Sequence, residues 1–117
     1  MINYDFLFAD KQEDYRKILQ ELRAGKAQLI DIRERNEWEK SHFKCAQHIP
    51  LSDLAKGIGI ESLKEIKSAN KKIYIHCRSG NRARKAQGIL ARYGCTDIHI
   101  IPITIMKMIE EGFTLTS

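Results

Sequence analysis

Apolar positions change period several times along the chain, and the changes outline helices alternating with strands. From Gln12 to Ala24, the residues Tyr15, Ile18, Leu19 and Leu22 recur at helical spacing, and Gly25 follows as a stop. Gln28 to Ile32 is a short apolar run that ends in charge, and it predicts a strand. The polar stretch Arg33 to Lys40 predicts a short helix or helical turn with Trp38 as its core anchor. Ala46 to Ile49 predicts a brief strand closed by Pro50. Ser52-Asp53-Leu54 opens a connection, and Gly57 and Gly59 mark a loop. Glu61 to Ala69 fits a helix with Leu63 and Ile66 inward. Ile73 to His76 predicts another strand. Beyond Asn81, the residues Ala83, Ala86, Ile89, Leu90 and Tyr93 share one helical side as far as Gly94. Asp97 to Ile101 predicts the last strand, broken by Pro102, and Ile105 to Glu111 a final helix stopped by Gly112. Such alternation predicts a central, mostly parallel sheet of about five strands with helices on both faces.

Composition narrows the class. The 117 residues suit one domain over 1–117, with no linker, repeat or low-complexity stretch. A hydrophobic content of 43% with 30% charged residues fits a soluble globular fold. No run is long enough to span a membrane, and the N-terminal residues lack the pattern of a signal peptide, so a cytoplasmic location is expected. The net charge of +5 favours anionic ligands. The basic residues are scattered apart from Arg78, Arg82, Arg84 and Lys85, without the aromatic interleaving of a nucleic-acid binder. Neither nucleic acid nor a membrane is therefore expected as a partner. Cys45, Cys77 and Cys95 form no Cys-x-x-Cys pair. His42, Cys45 and His48 supply only three candidate ligands where structural zinc takes four, so no metal is expected.

One stretch concentrates chemistry. The strand ending at His76 runs into Cys77-Arg78-Ser79-Gly80, followed by Asn81 and Arg82 at a predicted helix start. A strand end before a helix opens, in a parallel sheet, into the crevice where ligands bind. Loop N–H groups and the helix dipole favour an anion there, and a thiol so placed ionises readily. Gly80 and Asn81 tolerate the backbone angles of a tight loop. Arg78 offers a second cation for an anionic substrate.

The hexapeptide Cys77 to Arg82 resembles the active-site loop of rhodanese-type sulfurtransferases. Leu29-Ile30-Asp31-Ile32-Arg33-Glu34 with Glu37-Trp38 resembles the family's first signature. His42-Phe43 through Ala46, with Ile49-Pro50-Leu51, resembles its second. The likeness runs from about Gln12 to Gly112 and implies one rhodanese-like domain. It implies that Cys77 takes the outer sulfur of thiosulfate or another sulfane donor as a persulfide, then passes it to a thiol or cyanide acceptor. Arg78, Ser79, Gly80, Asn81 and Arg82 would bind the donor and hold the persulfide. Asp31, Arg33, Glu37 and His42 would be structural supports, with Glu37 paired to Arg33 and His42 hydrogen-bonded to backbone. No cofactor is implied. The alternative is a sulfur-relay or regulatory module docked on a protein donor or acceptor. A thiol phosphatase or arsenate reductase is a third reading, but those relatives place five residues between cysteine and arginine, and here there are four. The chain departs from the family pattern at Ala83, where a serine is frequent, at Cys45, where a glycine is usual, and at Pro102 to Met108. Cys45 is either a tolerated small residue or a second redox thiol. The last departure predicts an apolar rim from Ile103, Ile105, Met106 and Met108.

Overall fold

The computed structural model describes residues 15–76 and 81–116. Residues 15–23 form helix α1. Strand β1 (Ala27–Asp31), helix α2 (Arg35–Lys40), and strands β2 (His42–Phe43) and β3 (Ala46–His48) follow. Helices α3 (Leu51–Ala55) and α4 (Ile60–Ser68) lead into β4 (Lys72–His76). Helix α5 (Asn81–Arg92), strand β5 (Ile98–Ile100), helix α6 (Ile105–Glu110) and strand β6 (Leu115–Thr116) complete the order.

Among the described residues the central sheet has four strands in the order β3-β1-β4-β5, and every pairing in it is parallel. The remaining two strands form a separate antiparallel ribbon, with His42 opposite Thr116 and Phe43 opposite Leu115. Both ribbon strands are two residues long, too short to announce themselves by alternation.

The pleat sorts the central strands into two cores. Ile30, Ile32, Ile73, Ile75 and Ile98 point to one face and pack with Leu54, Ile60, Leu63, Ala83, Ala86 and Leu90. Helices α3, α4 and α5 therefore cover that face. Ala27, Leu29 and Tyr74 point to the other and pack with Tyr15, Ile18, Leu19, Phe43, Met108 and Phe113. Helices α1 and α6 and the β2–β6 ribbon cover that side. Strands buried on both faces read as continuous apolar runs, as Leu29-Ile30 and Tyr74-Ile75 do.

Three sequence expectations are corrected here. The stretch 51–55 is a one-turn helix, α3, with Leu54 fully buried, where a plain connection was expected. Tyr93 is 42% exposed at the end of α5 instead of lying inward; its hydroxyl sits over Gly57, where a Cβ would approach to 3.0 Å. Trp38 is half-buried, and α2 buries none of its residues in the core. Gly59 has a structural requirement of its own. It caps α4 at φ 91°, and a Cβ there would meet Ile49 at 2.6 Å, so both backbone angle and space demand glycine.

Candidate active site

Strands β1 and β4 are the central pair, and their last residues, Asp31 and His76, are register partners. From β1 the chain proceeds to β3 on one side, and from β4 to β5 on the other. The crevice beyond the carboxyl ends of such a pair is where open parallel sheets bind ligands. Cys77, Arg78, Ser79 and Gly80, the heart of the sequence-predicted site, lie outside the described residues. Asn81 and Arg82 open α5 on the far side of that stretch.

Asp31 and Arg33 form a closed fork at the end of β1. Arg33 donates from Nε to both carboxylate oxygens at 3.1 and 3.0 Å and from Nη2 to Oδ2 at 2.8 Å. Its backbone N–H donates to Oδ1 at 2.9 Å. Asp31 is 0% exposed and Arg33 6%, so both charges are withdrawn from water and satisfied by each other. The remaining guanidinium reach is used on Ser41, whose carbonyl accepts from Nη2 at 2.7 Å. The Arg33 carbonyl accepts from His48 Nε2 at 2.7 Å. One arginine thus joins the end of β1 to the segments that enter β2 and leave β3.

Glu37 does not bond Arg33. It bonds Arg82, with Nη1 to Oε1 at 2.5 Å and Nη2 to Oε2 at 2.9 Å. The backbone N–H of Glu34 also donates to Glu37 Oε1 at 3.1 Å, which orients the carboxylate from its own helix start. The Arg82 guanidinium holds the Glu37 carboxyl down at about 2. This pair fastens α2 to the first turn of α5. The sequence reading paired Glu37 with Arg33, four positions away; the partner found is 45 residues distant.

His42 donates from Nδ1 to the Trp38 carbonyl at 2.8 Å. Its ring lies parallel to the Trp38 indole with centroids 3.5 Å apart, and the His48 ring is parallel to the same indole at 4.6 Å. Trp38 is therefore a stacking partner for two imidazoles at the rim of the site. These contacts occupy the two histidines of the His42–Cys45–His48 cluster; among the described residues no group of side chains is arranged to hold a metal ion.

His76 is the residue that sequence reasoning passed over. It is 0% exposed, and among the described residues neither ring nitrogen has a hydrogen-bond partner. Nε2 lies 3.6 Å from Asp31 Oδ2, and the ring meets Phe43 edge-on with centroids 5.1 Å apart. Burial pushes its pKa down to about 4, outweighing the attraction of Asp31, so the imidazole is neutral at physiological pH and its contact with Asp31 is not an ion pair. A histidine ending an apolar strand beside a candidate thiol was the available signal.

On the outer side, Arg33, Glu37, Lys40 and Ser41 face Thr104, Ile105 and Met106 across a cavity of about 500 Å³. The divergent segment does wall this cavity, but only in part. Met108 is fully buried in the core, Ile103 and Ile105 pack partly against it, and Met106 is 71% exposed.

Cys45 precedes β3, whose residues Ala46 and His48 align with Leu29 and Asp31. The thiol therefore sits at the opposite end of the sheet from His76, about 10 Å down the strands. The residue is exposed, yet desolvation around its sulfur raises the thiol pKa, which opposes reactivity. Its backbone is not left-handed, as only Asn70 and Asp97 are among the described non-glycine residues, so cysteine is tolerated where glycine is usual.

The architecture and the approach of α2 to α5 define a doubly covered parallel α/β domain with a candidate site at the ends of β1 and β4. The profile of the rhodanese-like domain family matches residues 14–103, and the chain belongs to that family. It is 42% identical over 82 residues to the uncharacterized protein YqhL of Bacillus subtilis, covering 68% of this chain and 60% of that one. It is 35% identical over 75 residues to the putative sulfur carrier protein YrkF of the same organism, covering 63% of this chain and 37% of that one. The chain thus spans less than two thirds of the length of these curated relatives. Among solved structures, hp1203 of Helicobacter pylori superposes with a TM-score of 0.62 at 26% identity, covering 79% of each chain. The human single-domain sulfurtransferase TSTD1 superposes with a TM-score of 0.63 at 22% identity, covering 80% of this chain and 90% of that one, a likeness of fold.

Proposed function

We propose that this protein is a sulfurtransferase that carries sulfane sulfur on Cys77. The observation that supports it most is the Glu37–Arg82 fork, which anchors the helix after a cysteine-to-arginine loop with four intervening residues. A loop of that length suits one added sulfur better than a tetrahedral oxyanion. The Cys77 thiolate attacks the outer sulfur of thiosulfate, the S–S bond breaks, and sulfite departs with its electron pair. Cyanide or a thiolate then takes the outer sulfur of the persulfide and restores the Cys77 thiolate. The backbone N–H groups of Ser79, Gly80, Asn81 and Arg82 stabilise the persulfide anion, and Arg78 attracts the anionic donor. Arg82 acts through its fork with Glu37, holding the loop's exit. Asp31, Arg33 and His42 hold the surrounding segments. The domain works in the cytoplasm as one rhodanese-like unit.

Thiocyanate formation from thiosulfate and cyanide tests this reading. Wild-type protein is expected to turn over and Cys77→Ser to be inactive with an unchanged fold. Equal rates in both proteins would overturn the assignment. The likeness to a putative sulfur carrier supports a second reading, in which Cys77 is loaded by a protein persulfide and turns over poorly with thiosulfate. Loading from such a protein without thiosulfate turnover would favour it.

A further inference from the structure

Helix α5 turns a basic face to solvent. Between Glu65 and Asp97 the sequence holds no carboxylate side chain, and α5 itself carries Arg82, Arg84, Lys85 and Arg92. Arg82 is closed onto Glu37. Among the described residues Arg84 reaches only Asn81 of its own helix, at 3.5 Å, and the exposed Lys85 and Arg92 have no ion-pair or hydrogen-bond partner. Lys85, Ile89 and Tyr93 succeed one another at helical spacing, so they form one stripe along α5. At its end the Tyr93 ring lies over Gly57, next to Ile58, which is 53% exposed. Two large apolar side chains left in water therefore adjoin the unpaired cations. Gly88 lies on the exposed face between Lys85 and Arg92. A Cβ there would meet no described atom within 4 Å, and its φ is not positive, so neither packing nor backbone angle calls for glycine. Yet glycine weakens a helix interior more than any residue but proline. Its bare backbone leaves a saddle between two cations, where a second helix can approach closely.

We propose that this face docks an acidic helix of a partner protein. The partner's carboxylates meet Lys85 and Arg92, its backbone crosses α5 at Gly88, and an apolar side chain covers Tyr93 and Ile58. Charge complementarity sets the sign of the occupant. A second copy of this chain, itself at +5, is repelled. A nucleic acid would answer the cations but make no use of the aliphatic Ile58 or of the close approach at Gly88. The docking does not depend on the sulfur-transfer reading.

The probe is a capped helical peptide built from repeats of Glu-Glu-Leu-Ala-Ala-Leu-Glu, titrated into the full chain and followed by amide NMR shifts, with a uridine oligoribonucleotide titrated in parallel. The peptide is expected to shift Ile58, Lys85, Gly88, Arg92 and Tyr93. It is expected to bind about tenfold more weakly to the double variant Lys85→Glu, Arg92→Glu, in which two exposed ion pairs become repulsions. Gly88→Gln is expected to raise the thermal midpoint of the free chain, because glutamine is the better helix former, and to weaken peptide binding about tenfold by filling the saddle. A glycine kept for the fold alone would lower the midpoint when replaced. Absence of peptide binding, shifts confined to other surfaces, unchanged affinity in the charge-reversed chain, or a lowered midpoint in Gly88→Gln would overturn the proposal. Tighter binding of the oligoribonucleotide at the same residues would also overturn it and make the face a nucleic-acid surface.

Discussion

The site region contains two arginine–carboxylate forks built for opposite purposes. Asp31 and Arg33 are two residues apart, nearly without exposure, and shape a single strand end. Glu37 and Arg82 are 45 residues apart, about a quarter exposed on both side chains, and join two helices. The first pair needs each partner because water cannot replace it. The second is partly wet, so its loss costs less in stability, yet it fixes the helix that follows Cys77. Burial decides how much a charge pair matters to the fold, and sequence separation decides what it assembles.

The strongest way to break this contrast is Asp31→Ala. It leaves the Arg33 guanidinium buried without its partner, and urea unfolding is expected to show a loss of about 3–5 kcal/mol. A loss below 1 kcal/mol would place Asp31 among the wet pairs.

Acid titration sharpens the comparison by adding a buried group with no hydrogen-bond partner among the described residues. His76 sits at about 4 in the fold. An unfolded histidine sits at about 6.5, so between those values the unfolded chain binds more protons and stability rises with pH. Its contribution is complete above about 6.5 and declines as pH falls toward 4, by up to about 3 kcal/mol. His76→Leu is expected to flatten that limb without lowering stability at pH 7, since no hydrogen bond to a described residue is lost. An unchanged acid limb would contradict the burial argument. Glu37 acts in a lower window. Its depressed carboxyl contributes above the unfolded value and loses that contribution as pH falls toward 2.

Glu37→Gln comes next in size. A cost of about 1 kcal/mol is expected from a fork about a quarter exposed, together with a clear drop in kcat for sulfur transfer as α5 loosens. A stability loss as large as that of Asp31→Ala, or an unaltered kcat, would erase the distinction between the two forks. Cys45→Ala marks the lower end. It is expected to change stability by less than about 0.5 kcal/mol and to leave persulfide decay unaltered, because the thiol lies at the far end of the sheet. Slower resolution of the persulfide in Cys45→Ala would make it a redox partner after all.

The strands of the main sheet were legible because runs such as Ile73 to His76 are apolar, β-branched and bounded by polar residues. Which face each residue serves was not, because both faces are buried and the alternation vanishes. The β2–β6 ribbon escaped notice because two-residue strands carry no period. Trp38 was read as core because large aromatics usually are; its stacking on His42 and His48 depends on a chain reversal that no local pattern encodes. Asp31, Arg33, Glu37 and His42 were picked out through a family likeness. The partner of Glu37 required the approach of α2 to α5, a long-range contact. His76 was hidden by its place inside a strand that otherwise read as plain core.

The central claim concerns sulfur on Cys77, and intact-mass measurement after incubation with thiosulfate reaches it most directly. The wild-type chain is expected to gain one sulfur, about +32 Da, lost again on adding cyanide, while Cys77→Ser gains nothing. A wild-type chain that stays at its original mass with every sulfane donor tried, or a Cys77→Ser chain that gains the same sulfur, would contradict the account.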